Sequence, residues 1–92
     1  MGEIPKQILE GIETELRYAK EKFPLWPDDP IHAAAIVAEE AGEVVKAALQ
    51  FTYEDGNLIH LYNESKQTAT MCIRLMKNLD NYIKRNTFQH ED

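Results

Sequence analysis

The chain has 92 residues, which is enough for one domain and too few for a second hydrophobic core. Its 43% apolar and 28% charged residues are ordinary for a globular protein and exclude a chain that is disordered throughout. The net charge of -6 argues against binding to a nucleic-acid backbone, so a protein of this charge that handles phosphates needs metal ions.

The first predicted helix covers about residues 5–22, because Pro5 is favoured at a first helical position and an apolar stripe follows it at steps of three and four residues. This stripe consists of Ile8, Ile12, Leu16, Ala19 and Phe23. Residues 23–29 form a connector, since Pro24 and Pro27 prevent a regular element from running through them.

The second predicted helix covers residues 30–53, with Asp29 as its N-cap. Its polar side chains occupy one narrow stripe, so we expect this helix to be central in the fold. A second apolar seam runs along it, and the helices of one short chain can hardly cover both faces. The seam consists of Ala35, Ala38, Gly42, Val45 and Leu49. We therefore predict that oligomerisation completes the bundle, with Gly42 allowing another helix to approach closely.

The third predicted helix covers about residues 58–84, after turn-forming residues at 54–57, and a polar tail follows at 86–92. Its stripe advances by fours and threes, which is typical of antiparallel helix packing. The stripe consists of Leu61, Ser65, Thr68, Cys72, Leu75, Leu79 and Ile83. No strand pattern or repeat is present, so we predict an all-α fold: a short helical bundle of an antiparallel helix hairpin plus an N-terminal helix.

Acidic residues in apolar surroundings provide the first functional signal. Glu40 falls within the apolar arc of the second helix, Glu43 lies at its edge, and Glu64 lies on an apolar flank of the third. We expect the hairpin to place Glu43 and Glu64 at the same height along its axis, because the two residues lie at similar distances from the turn. Carboxylates among apolar helices stay ionised only beside positive charge, and a hard divalent cation such as Mg²⁺ suits oxygen ligands. The alternative is a set of ion pairs with Lys46, Lys66 or Arg74.

Two other patterns limit this interpretation. Glu10 and Glu13 have the same spacing as Glu40 and Glu43, but they face away from the apolar stripe of the first helix, so we expect them to be solvated. A diiron centre is disfavoured, because its Glu-x-x-His spacing does not occur here.

The segments HAAAIVAEEAGEVVKAAL and NESKQTATMCIRLMKNL resemble the MazG-like all-α nucleoside triphosphate pyrophosphohydrolases over about residues 31–80. The family motif reads E-E-x-x-E and then E-x-x-D. Its first part is matched by Glu39, Glu40 and Glu43. Glu64 matches the start of the second part, whereas Gln67 stands where the family has Asp. An amide oxygen still ligates Mg²⁺ but carries no charge.

The resemblance implies hydrolysis of a (d)NTP to (d)NMP and pyrophosphate for nucleotide-pool house-cleaning, by a homodimer or homotetramer with Mg²⁺ or Mn²⁺. It implies that the metal is held by Glu40, Glu43, Glu64 and Gln67. Glu39 or Glu43 is the candidate for orienting or deprotonating the attacking water. Gln67 leaves a second hypothesis open, a non-catalytic or weakly catalytic oligomer of the same descent that binds nucleotide or metal.

Four residues are candidates for binding substrate. Trp26 is placed to stack on a base or, alternatively, to cap the core under the connector. His32 is placed to contact a base or phosphate, or is an ordinary surface histidine. Arg74 is predicted to reach phosphates or an intersubunit ion pair, and Asn78 to hydrogen-bond the substrate. Nothing in the sequence identifies the preferred base or sugar.

The cellular setting follows from simpler features. The single cysteine, Cys72, excludes an internal disulfide. No apolar run approaches the ~20 residues of a membrane span. The N-terminus MGEIPKQILE lacks the apolar core of a signal peptide, so we expect a cytoplasmic protein with no membrane partner.

Overall fold

The computed structural model describes residues 2–83 and contains helices but no strand in this range. Helix α1 spans Lys6–Lys22, α2 spans Pro30–Tyr53 and α3 spans Leu58–Lys77, and helical geometry returns at residues 79–83. The all-α class is therefore confirmed. None of the helices in the described part of the chain is long and apolar enough to cross a membrane.

Both helices of the hairpin, α2 and α3, begin at a residue whose side chain caps the helix. The Asp29 carboxylate accepts a hydrogen bond of 3.1 Å from the backbone N–H of Ile31, and Pro30 occupies the first turn of α2. The Asn57 side chain accepts one of 2.7 Å from the backbone N–H of His60 at the start of α3. Each cap satisfies a backbone donor that has no partner inside the helix, which defines where the helix begins.

The turn between α2 and α3 depends on backbone features at two residues. Asp55 has a positive φ of 59°, and the N–H of Gly56 donates to the carbonyl of Gln50 over 2.8 Å. A Cβ atom at Gly56 would lie 2.8 Å from the Gln50 carbonyl carbon, which is too close for any residue but glycine. The turn closes the end of α2 and directs α3 back along it, as the predicted antiparallel hairpin requires.

Helix α3 packs against both α1 and α2. The expectation that α2 is the central helix is therefore wrong for the single chain: α3 lies between the other two. A β-carbon at Gly11 of α1 would lie 3.3 Å from the Tyr62 hydroxyl near the start of α3. Further along, Leu16 and Lys20 line a cleft with Arg74 and Lys77. Helices α1 and α3 therefore run in parallel.

The single chain has a small core. The buried residues are Ala19, Ala33, Ala47, Thr70, Arg74 and Tyr82. The apolar seam predicted on α2 is exposed and faces away from α3. Together with its neighbours it forms the outer face of α2, which comprises Ile31, Ala35, Ala38, Gly42, Val45, Leu49 and Tyr53. The exposed fraction is 78% for both Ile31 and Tyr53, and apart from its chain neighbours and the adjacent backbone of α2, nothing lies within 4 Å of the β-carbon position of Gly42.

The third helix is interrupted at Asn78, so the prediction of one continuous helix over 58–84 is wrong. The Asn78 side-chain amide donates to the carbonyl of Arg74 over 2.7 Å, and its backbone N–H bonds to the carbonyl of Leu75 over 3.0 Å. An asparagine side chain that bonds the backbone in this way competes with continuation of the helix. Lys84 and the predicted tail at 86–92 lie outside the described residues.

Candidate functional site

Glu40 lies at the centre of a group of carboxylates. Burial raises the pKa of Glu40 above its usual range, and neighbouring negative charges raise it further. In order of decreasing effect, these neighbours are Glu64, Glu39, Glu43 and Glu15. The fold therefore places the other three glutamates that match the family motif within electrostatic range of Glu40, although the four come from two helices.

Glu15 is a member of this group that the sequence analysis missed. It belongs to α1, whereas the motif is confined to α2 and α3. A signal was present, because Glu15 lies seven residues after Ile8 and four before Ala19, on the apolar stripe of its helix. Its side chain is half-buried, as a position on that stripe requires.

Among residues 2–83, no lysine or arginine forms an ion pair with this group. Its one ion pair joins the imidazole Nδ1 of His60 to a carboxylate oxygen of Glu64 at 4.0 Å, and it carries charge only when His60 is protonated. The Lys66 ammonium lies 5.8 Å from the centre of the Tyr62 ring. The Arg74 guanidinium donates to a backbone carbonyl. The ion-pair alternative with Lys46, Lys66 or Arg74 is thus not realised in the described chain.

The carboxylate cleft, of about 310 Å³, lies between α1, α2 and α3. It is lined by Glu15, Tyr18, Ala19, Lys22, Phe23, Glu40, Gln67 and Met71. The Gln67 amide is thus on the same cleft as Glu40, where the family motif has a carboxylate. Lys22 was also missed by the sequence analysis, and its ammonium donates to the Tyr18 hydroxyl over 3.1 Å at the edge of this cleft.

The tryptophan cleft, of about 370 Å³, lies on the connector side of Glu40. It is lined by Phe23, Leu25, Trp26, Pro27, His32, Ile36, Glu40, Met71 and Arg74. Three of the four predicted substrate residues, Trp26, His32 and Arg74, are therefore brought together beside Glu40. Glu40 itself borders both this cleft and the carboxylate cleft.

Trp26 links the connector by a hydrogen bond to the helical segment at residues 79–83, which follows α3. Its indole N–H donates to the Tyr82 hydroxyl over 2.8 Å, and that hydroxyl donates to the carbonyl of Pro27 over 2.9 Å. The Arg74 guanidinium lies 4.9 Å from the centre of the indole ring and donates to the carbonyl of Phe23 over 2.6 Å. Trp26 thus caps the structure under the connector, which is one of the two roles considered for it, and it also lines the cleft.

Asn78 does not line the tryptophan cleft, although it shares another cleft with Trp26 and Arg74. It lines the basic cleft, of about 330 Å³, which shares Leu25, Trp26 and Arg74 with the tryptophan cleft but is not lined by Glu40. The basic cleft is lined by Leu16, Lys20, Pro24, Leu25, Trp26, Arg74, Lys77 and Asn78. Because the Asn78 amide also caps the end of α3, its contacts in the structure are local ones.

The donor atoms at Glu40 suit a hard cation. They are carboxylate oxygens and one amide oxygen, which Mg²⁺ and Mn²⁺ accept, and a cation among them would relieve the repulsion that raises the pKa of Glu40. Within the described range, no three His, Cys, Asp or Glu side chains are already arranged around a common metal position. Glu39 and Glu43 are exposed, so their side chains are free to rotate toward a bound ion.

The arrangement places an acidic cation-attracting group next to a cleft that carries an arginine, a histidine and an indole. These groups have the chemistry to hold a metal-complexed anion with an aromatic portion. Comparisons of the chain with protein-family models, with curated proteins and with solved structures find no match.

Proposed function

We propose that this protein is an Mg²⁺-dependent nucleoside triphosphate pyrophosphohydrolase that converts a (d)NTP into the (d)NMP and pyrophosphate. The observation that carries the proposal is the position of Glu40, which is half-buried among four other glutamates with no lysine or arginine paired to it within residues 2–83. A group of carboxylates of this kind is costly unless it binds a cation. The choice of this particular reaction is based on the resemblance of the two motif segments to the MazG-like enzymes.

The metal ligands in this proposal are Glu40, Glu43, Glu64 and Gln67. Bound Mg²⁺ supplies charge neutralisation at the phosphate oxygens and a more acidic bound water. Glu39 adjoins Glu40 in the chain and is exposed, so its carboxylate is available to orient the attacking water or to accept its proton. Water then adds to a phosphorus atom, and the bond to the departing pyrophosphate breaks.

The tryptophan cleft is the proposed place of the nucleoside. Its volume of about 370 Å³ is at the lower end of the range for ligand pockets, about 300–1,000 Å³. Arg74 offers guanidinium donors to phosphate oxygens and His32 offers an imidazole N–H. Trp26 offers part of an aromatic surface to a base, although its ring also contacts the Arg74 guanidinium.

A homodimer or homotetramer assembled through the outer face of α2 is part of this proposal. That face has no charged side chain along a helix of 24 residues, and it is uncovered in the single chain. Exposed apolar patches of this kind mark interaction surfaces. Val45→Arg should dissociate the oligomer in sedimentation analysis and leave the helical circular dichroism of the chain unchanged. If the Val45→Arg protein sedimented with the same oligomer mass as the natural protein, the outer face of α2 would not be the interface.

The second candidate function is a nucleotide- or metal-binding oligomer without turnover. It is favoured by Gln67, which carries no charge where the family motif has an aspartate. The two candidates differ in one observable, which is the release of pyrophosphate under conditions in which ligand is bound.

The test is incubation of the purified protein with canonical and modified (d)NTPs, in Mg²⁺ and in EDTA, with detection of monophosphate and pyrophosphate. Glu40→Ala is assayed in parallel to exclude contaminating hydrolases. The proposal requires pyrophosphate release that needs Mg²⁺ and disappears in Glu40→Ala. If no tested (d)NTP releases pyrophosphate while Mg²⁺ still raises the melting temperature, the result would instead support the binding function.

A further inference from the structure

The basic cleft shares Trp26 and Arg74 with the tryptophan cleft, but it also carries two lysines that the proposed hydrolase site does not use. Three cationic side chains line it, those of Lys20, Arg74 and Lys77, and none of its lining residues is acidic. It is formed where the parallel helices α1 and α3 end side by side, and Glu40 does not line it. A cationic concavity of this kind is unusual on a chain whose net charge is -6.

The positive charges of this cleft have no anionic partner within the described residues. Lys20 and Lys77 are exposed and form no ion pair there. Arg74 is only 8% exposed, and its guanidinium contacts a carbonyl oxygen and an indole ring rather than a carboxylate. Buried charges in proteins are normally paired, so an unpaired buried arginine indicates a place for an anion.

Helix-end electrostatics explain only part of this arrangement. Lys20 and Lys77 lie in the last turns of their helices, where a positive charge interacts favourably with the helix dipole and needs no ligand. Arg74 also lies in the last turn of α3, but its buried guanidinium has lost hydration that an exposed lysine keeps, so the helix dipole compensates it only in part. The helix dipole also does not explain why the three side chains converge on a single cavity.

The size and donors of the cleft indicate the class of ligand. A volume of about 330 Å³ suits a compact molecule. The ammonium groups of Lys20 and Lys77 supply two point charges for phosphate oxygens, and the Arg74 guanidinium, which borders both this cleft and the tryptophan cleft, adds a third positive charge. We propose that the basic cleft binds a compact multivalent phosphate, either as a free anion or as the phosphate end of a nucleotide, separately from the carboxylate cleft.

Pyrophosphate binding measured by isothermal titration calorimetry in EDTA tests this proposal, because no metal then links the anion to the carboxylates. The double variant Lys20→Gln/Lys77→Gln should bind pyrophosphate at least about tenfold more weakly, since two charge-assisted contacts are lost. The matched control is Lys6→Gln/Lys46→Gln, which removes the same charge from exposed lysines that line none of the three named clefts. It should bind as the natural chain does.

Each outcome is decisive. Equal weakening in both double variants would show only general charge attraction and overturn the proposal, as would an absence of pyrophosphate binding to the natural chain. A nucleoside triphosphate titrated in EDTA identifies the source: displacement of pyrophosphate assigns the cleft to a nucleotide's phosphates, and no displacement assigns it to the free anion. These measurements involve no turnover, so failure of the hydrolase proposal leaves them interpretable.

Discussion

The chain contains two Glu-x-x-Glu pairs on helices, and they have different surroundings. Glu10 and Glu13 of α1 are both exposed and line none of the three clefts. In the second pair Glu40 is half-buried and borders two clefts, while Glu43 lies beside it on the solvent side. The comparison shows that spacing alone does not make a site. The difference arises because α3 packs over the face of α2 that carries Glu40.

The largest expected effect that separates the two pairs is on catalysis. Glu40→Gln keeps the shape of the side chain and removes its charge, so kcat/KM for (d)NTP hydrolysis should fall at least about 100-fold, as expected for the loss of a metal ligand. Glu10→Gln, the matched change in the exposed pair, should leave kcat/KM unchanged. Steady-state pyrophosphate release measures both. Comparable losses in the two variants would mean that the cluster around Glu40 is not the catalytic centre.

The next effect is on metal-dependent stability. A ligand that binds only the folded state stabilises it by about 2.7 kcal/mol at 100 times its Kd, which for a chain of this size corresponds to roughly 10–20 °C in Tm. Mg²⁺ should therefore raise the Tm of the natural chain and of Glu13→Gln, measured by calorimetry against EDTA. Glu64→Gln should respond much less. An equal response in Glu64→Gln would remove that residue from the metal site.

A smaller effect concerns pH. Folding raises the pKa of Glu40, so the folded chain holds this proton more tightly than the unfolded chain. The free energy of unfolding in EDTA should therefore fall as the pH rises from the ordinary glutamate pKa of about 4.3 through the raised value. Glu40→Gln should weaken this dependence and stabilise the metal-free chain at neutral pH, whereas Glu13→Gln should retain it. Urea titrations at several pH values measure the slopes.

These experiments separate what the sequence could predict from what it could not. The helix class, and a hairpin that brings the acidic residues of α2 beside Glu64, followed from local patterns, because 3.6-residue periodicity and a short turn determine which faces of a hairpin meet. The central position of α3 was not predictable in this way. It depends on where α1 docks, and no local signal in the Pro-rich connector encodes that contact.

The basic cleft and the role of Tyr82 were missed for a related reason. Lys20 and Lys77 are far apart in the chain and each suits the end of its own helix, so neither is anomalous until α1 and α3 are known to run in parallel. The bonds from Trp26 to Tyr82 and from Tyr82 to Pro27 join residues more than fifty positions apart. Helical periodicity contains no information about such contacts.

The smallest expected effect concerns Glu15, the residue by which α1 contributes a negative charge near Glu40. It is last among the charges that raise the pKa of Glu40, so it is a weaker neighbour than those on α2 and α3. Glu15→Gln should raise the Mg²⁺ concentration needed for half-maximal activity by a few-fold, about 2–5-fold for one lost charge in a partly solvated site, without changing kcat. Glu10→Gln, on the same helix, is the control. If Glu15→Gln abolished turnover, Glu15 would be a metal ligand, and the site would be built from three helices rather than from the hairpin alone.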